Sequence, residues 1–128
     1  MSTKGLKFTK DHEWIKLEGK KGLVGISDYA VKHLGDIVFV DMPKAGSALT
    51  KGKTMGVVES VKTVSDIYAP VSGKVVKNNA ELEGDPALLN QDPFGKAWIA
   101  EIEVANPADV DDLMDAAAYE KYCSTLSH

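Results

Sequence analysis

The distribution of turn-forming residues constrains this chain more than any other feature. A Gly19-Lys20 turn, then Pro43, Gly46, Gly52, Pro70 and Gly73, cut it into pieces that suit strands and leave little room for long helices. The pieces between them alternate. From Glu13 to Glu18, Ile15 and Leu17 share one face while Lys16 and Glu18 share the other, the period of a half-buried strand. Lys21 to Ile26 follows across the Gly19-Lys20 turn as the second arm of a hairpin. Asp36 to Met42, Thr54 to Ser60, Val64 to Ala69 and Gly73 to Lys77 read as further strands. Trp98 to Val104 is the clearest, with Trp98, Ala100, Ile102 and Val104 set against Ile99, Glu101 and Glu103.

Helical signals are few. Ser27 is placed to cap a short helix from Asp28 to Leu34, with Gly35 ending it, and Asp85-Pro86 can start a single turn over Ala87 to Asn90. Near the end, Asn106 caps, Pro107 takes the first helical position, and Asp109, Asp111 and Asp112 complement the helix dipole. Val110, Leu113, Met114, Ala117, Tyr122 and Leu126 follow at helical spacing, which predicts a C-terminal helix over about 107–123. At 128 residues the chain supports one core and buries about two-thirds of its unfolded surface. We therefore expect a single mainly β domain over 1–128, with the C-terminal helix lying on a sheet.

Charge and composition exclude several functions. The net charge is -4 and the pI about 5.3, the wrong sign for a surface that tracks phosphates, so nucleic acid is not expected as a partner. All 15 basic residues are lysines, and without a guanidinium fork phosphoryl-transfer chemistry is disfavoured. The apolar runs, such as Ile37-Val38-Phe39-Val40, are far too short to span a membrane. The segment Met1 to Lys7 has neither the apolar stretch of a secretory signal nor the arginines of a transit peptide, so a bacterial cytoplasmic protein is expected, a mature mitochondrial form being the alternative. His12, His33 and His128 form no pair at metal-ligand spacing. Asp109, Asp111 and Glu120 imitate a calcium loop, but Met114 stands where that loop needs glycine. Nucleotide-binding glycine motifs and the nucleophile elbow of serine hydrolases are absent. Cys123 lacks an evident activating base, so it and the two tryptophans, Trp14 and Trp98, are expected in packing roles.

One polar segment interrupts the strands without joining any of these categories: Glu59-Ser60-Val61-Lys62-Thr63-Val64-Ser65-Asp66. It separates two β-prone stretches and puts Lys62 at its middle. The usual Asn-Gly or Asp-Gly hairpin signal is missing, so the turn is of a less common type. By periodicity alone Lys62 is one exposed lysine among many.

These residues carry a resemblance. Glu59-Ser60-Val61-Lys62 is similar to the lipoyl-lysine motif of the H proteins of the glycine cleavage system, and the likeness extends over nearly the whole chain. It includes His12-Glu13-Trp14, Gly25-Ile26, Ala30, Leu34-Gly35-Asp36, Val38-Phe39-Val40, Pro43, Gly46 and Lys51-Gly52. It continues through Ser65-Asp66, Ala69-Pro70-Val71-Ser72-Gly73, Leu89-Asn90, Pro93, Trp98 and Ala118-Tyr119. Thr63 departs from the small residue that the family tends to carry after the lysine.

The resemblance implies a barrel-sandwich hybrid of lipoyl/biotinyl type with a lysine at a hairpin tip, and lipoate in amide linkage to Lys62. Glu59, Ser60 and Val61 would be read by the attaching enzymes, and Glu13 and Asp66 would line a cleft for the arm. It implies a non-catalytic carrier in glycine catabolism and one-carbon metabolism. Such a carrier takes an aminomethyl group and reducing equivalents from a pyridoxal-phosphate glycine decarboxylase. It serves a tetrahydrofolate-dependent aminomethyltransferase and a flavin (FAD) dihydrolipoyl dehydrogenase. Neither metal nor membrane is implied. Three rivals remain: a biotinyl carrier, disfavoured because Val61 and Thr63 flank the lysine where biotinyl domains have methionine; a relay donating octanoyl or lipoyl groups to 2-oxoacid dehydrogenases; and an unmodified β-rich interaction domain.

Overall fold

The computed structural model describes residues 5–126; Met1 to Lys4 and His128, which entered the sequence reading, lie outside that range. In chain order the elements are β1 (Leu6–Phe8), β2 (Glu13–Glu18), β3 (Lys21–Ile26), α1 (Asp28–Leu34), β4 (Ile37–Asp41), β5 (Ala48–Leu49), β6 (Thr54–Ser60), β7 (Val64–Tyr68) and β8 (Gly73–Asn78). Then come α2 (Ala80–Gly84), α3 (Leu88–Gln91), β9 (Ala100–Val104), a 3-10 turn (Pro107–Val110) and α4 (Ala116–Ser124). Two antiparallel sheets result, one of six strands in the order β1-β2-β3-β9-β8-β5 and one of three in the order β4-β6-β7. Their inner faces share a core that includes Ile15, Val24, Val58, Ile67, Val75, Leu82, Leu89 and Ile102. The mainly β architecture with short helices and a C-terminal helix agrees with the sequence reading.

A second cluster seats α4 on the edge of the larger sheet. Leu6, Phe8, Trp14 and Tyr119 are buried together there, and the Phe8 and Tyr119 rings stack with centroids 4.3 Å apart. Trp14 lies against bare backbone: it pairs across strands with Gly25, where a Cβ would come within 2.6 Å of the indole. Its ring N–H donates to the carbonyls of Ile26 at 3.1 Å and Pro93 at 3.0 Å, which satisfies the one polar atom of a buried aromatic.

The C-terminal segment departs from expectation. In place of one helix over about 107–123, a 3-10 turn is followed by extended chain and then by α4, which starts at Ala116. Met114 forms an isolated bridge with Phe8, donating to the Phe8 carbonyl at 2.9 Å and accepting from the Phe8 N–H at 2.7 Å. Those bonds hold Met114 out of a helix, and Asp115 then caps α4 by accepting from Ala118 N–H at 2.8 Å. Three elements had no clear local signal: β1 and β5, of three and two residues, and α2, started by the Asn79 side chain accepting from Glu81 N–H. Trp98, expected in the core, is only partly buried, with Lys77 Nζ 5.9 Å from its ring centroid.

Candidate functional site

β6 and β7 form a hairpin whose tip spans residues 60–63. The turn is held by one hydroxyl. Ser60 Oγ accepts from Thr63 N–H at 3.1 Å and from Lys62 N–H at 3.3 Å, and donates to the Thr63 carbonyl at 3.2 Å, while Ser60 N–H reaches that same carbonyl at 2.8 Å. A serine whose side chain bonds the backbone locally replaces the Asn-Gly chemistry that the sequence lacks. Val61, Lys62, Thr63 and Val64 project into solvent. The Val61 N–H also donates to the Asp36 carbonyl at 3.0 Å, tying the tip to the junction of α1 and β4.

The outer face of the three-stranded sheet surrounds this lysine with apolar surface. Among the described residues the exposed large apolar side chains are Val38, Phe39, Val61, Val64 and Val76, and all but the last lie at the tip or across the sheet from it. Register explains the grouping. Phe39, Glu59 and Val64 stand opposite one another across β4, β6 and β7, as do Asp41, Val57 and Asp66 one step further along the same face. A bulge between Ile37 and Phe39 sets Val38 out of the ladder, so two successive apolar residues face water. The face therefore sets exposed apolar side chains and the carboxylates of Asp41, Glu59 and Asp66 beside one displayed amine.

Glu13 has a different setting. It is 1% exposed at the start of β2, where Thr9 Oγ1 donates to its Oε1 at 2.5 Å and Tyr68 N–H donates to its Oε2 at 3.2 Å. Burial pushes its carboxyl up to about 7, against the opposing pull of these two hydrogen bonds. It borders a cavity of about 330 Å³ whose apolar wall comes from Phe8, Tyr68, Pro70, Leu113 and Met114. Lys51 closes one side, its ammonium donating to the Asp109 carbonyl at 2.7 Å and to Asp112 Oδ1 at 2.5 Å. Hydrogen bonding to Lys51 holds the Asp112 carboxyl below its usual range. Asp66, paired with Glu13 in the sequence reading, is exposed on β7 and does not line this cavity; it lies between the tip and Tyr68 along the strand.

The chain reverses into β2 through His12, whose φ of 72° is left-handed. His12 Nδ1 lies 2.7 Å from the Tyr119 hydroxyl, which in turn lies 2.6 Å from Ser27 Oγ at the cap of α1. Burial lowers the His12 pKa and raises that of Tyr119. The network joins three segments, and Tyr119 also borders a second cavity of about 260 Å³, which Cys123 lines together with the rings of Phe8, Tyr29 and Phe94. Pattern reasoning on its own passed over Tyr68 and Tyr119, which act through residues distant in sequence, and also Thr9, whose partner Glu13 is only four residues away.

The features that stand out are an exposed amine on a braced tip, an apolar collar, and a cavity with one buried acid within reach of the same strand. Those features suit a carrier of a tethered group. The model of the glycine cleavage H-protein family matches residues 6–126. The glycine cleavage system H protein of Symbiobacterium thermophilum is 55% identical over 117 residues, covering 91% of each chain. That of Caulobacter vibrioides is 51% identical over 121 residues, covering 94% of this chain and all of its own. A crystal structure of the H protein from Mycobacterium marinum superposes with a TM-score of 0.87 at 37% identity, covering 94% of this chain and 97% of that one. The chain belongs to the glycine cleavage H-protein family, the lipoyl carriers of glycine cleavage. Membership sets aside the biotinyl reading. None of the helices among the described residues is long and apolar enough to cross a membrane.

Proposed function

We propose that Lys62 carries the lipoyl group and that the whole chain works as one carrier domain, with Glu59, Ser60 and Val61 read by the attaching enzyme. The observation that carries this is the display of Lys62 at a tip braced by Ser60 and collared by Val61 and Val64. An exposed primary amine can enter an acylating enzyme, whereas a packed one cannot. When attached, the dithiolane supplies a disulfide able to accept an aminomethyl group and two electrons at a glycine decarboxylase. The residues of this chain contribute tethering and presentation: to that decarboxylase, to an aminomethyltransferase and to a dihydrolipoyl dehydrogenase. The relatives named above being bacterial, the cytoplasm is the proposed site of action.

The cavity beside Glu13 fits the arm in size and character. A lysine amidated by lipoic acid reaches about 14 Å from its backbone, which covers most of the roughly 16 Å that the five residues of extended chain from the tip to Tyr68 span. Phe8, Pro70 and Met114 suit an apolar chain, and Glu13 suits an ammonium at its end. A cation beside Glu13 favours its ionised form, so seating an amine there expels the carboxyl proton near neutral pH. Asp66 lies along the route and adds negative charge to it.

Intact-mass measurement on protein from its native host tests the attachment. A lipoyl increment that disappears in Lys62→Ala is expected. An increment that persists in that variant, or none in the native protein, refutes the assignment.

A further inference from the structure

An attaching enzyme that must grip Lys62 binds more tightly when the tip is already in place, because apparent affinity falls with the fraction of molecules in the competent arrangement. Ser60 supplies part of that order from within the hairpin. The rest comes from outside it. Asn90, on α3, sets its side-chain amide astride Asp36: Oδ1 accepts from Ile37 N–H at 2.9 Å, and Nδ2 donates to the Gly35 carbonyl at 2.9 Å. Both ends of the amide are used, which fixes the loop 35–37 as a unit. The Asp36 carbonyl between them accepts from Val61 N–H at 3.0 Å, one residue before Lys62. Gly35, at φ +85°, lies beneath the stalk of Lys62; a Cβ there would sit 3.5 Å from Lys62 Cε. A continuous set of contacts therefore runs from α3 to the displayed amine. The Asn90 side chain belongs to an exposed residue, so apolar packing does not account for an asparagine here, and the two-ended clamp does.

We infer that Asn90 is a positioning residue for acylation of Lys62, acting through the 35–37 loop that it clamps. The inference rests on the reading of Lys62 as the acceptor. In Asn90→Ala the Gly35 carbonyl and the Ile37 N–H turn to water, the fold persists, and the tip samples more arrangements.

The test uses the full unmodified chain, a lipoate ligase with ATP and free lipoate, and intact mass to follow initial rates across chain concentrations. Asn90→Ala is expected to raise KM by about threefold to tenfold with kcat unchanged, the signature of a smaller competent fraction. Asn90→Asp keeps the acceptor for Ile37 N–H, cannot donate to Gly35, and falls between the two. Acetylation of Lys62 by a small N-hydroxysuccinimide ester needs no docking and keeps the parent rate in both variants. An unchanged KM in Asn90→Ala overturns the inference. A matched loss in KM, kcat and small-reagent acetylation, accompanied by a broadened thermal transition, overturns it as well, since that is general loosening of the fold. Lys62→Ala separates the two layers: continued gain of mass there defeats the acceptor reading, whereas no gain there with an unaffected Asn90→Ala defeats only the role of Asn90.

Discussion

Replacing Glu13 by glutamine should make this protein more stable at neutral and alkaline pH. The carboxyl is shifted from its unfolded value of 4.5 up to about 7 by burial. Between those values the native protein holds a proton that the unfolded chain has released, so stability falls as pH rises through the window and stays lowered above it. At about 1.4 kcal/mol per pH unit, the interval from 4.5 to about 7 amounts to about 3 kcal/mol. Glutamine is uncharged and of the same shape: its Oε1 can accept from Tyr68 N–H, while its Nε2 faces Thr9 Oγ1, a hydroxyl that now donates to the carboxyl and accepts from the backbone amides of residues 11 and 13. Urea denaturation of both proteins from pH 4 to pH 8 measures this. Near pH 4 the two should agree; at pH 8 Glu13→Gln should be the more stable by about 3 kcal/mol. Curves that run parallel across the range would refute the argument, because the wild-type slope would then have another origin.

Three further outcomes follow from other parts of the structure. Gly56→Ala on β6 puts a methyl group against the Asp41 carbonyl oxygen of β4, and this overpacking should cost about 1–3 kcal/mol in urea denaturation. Tyr119→Phe removes the hydroxyl shared by His12 and the fully buried Ser27; a loss of about 1–3 kcal/mol is expected at pH 7, and no loss would show that these partners find water instead. Ser60→Ala deletes the hydroxyl that organises the tip, so the Lys62 and Thr63 amides should lose hydrogen-exchange protection while those of β6 and β7 keep theirs. Equal protection in parent and variant would mean that the turn stands without Ser60.

Much of the scaffold was legible from local pattern because strand faces and turns are local physics. Glu13–Glu18, Lys21–Ile26 and Thr54–Ser60 run over the same residues as their sequence readings, and Ser27 caps α1 as its position suggested. Lys62 is displayed for a reason also present in the sequence, a polar break between two β-prone stretches. Local pattern failed where a contact arrives from far along the chain. Glu13 opens a strand with three successive buried residues, which no period of two anticipates, because β7 supplies Tyr68 N–H to its carboxylate across 55 residues. The C-terminal helix is broken at Met114 by an edge strand more than a hundred residues earlier. Sequence by itself determined which pieces extend, where they turn and which amine stands at a tip. Only tertiary structure decided what that tip leans on and which acid is withdrawn from water, because hydrogen bonds and burial of that kind depend on which distant segments the closed sheets bring together.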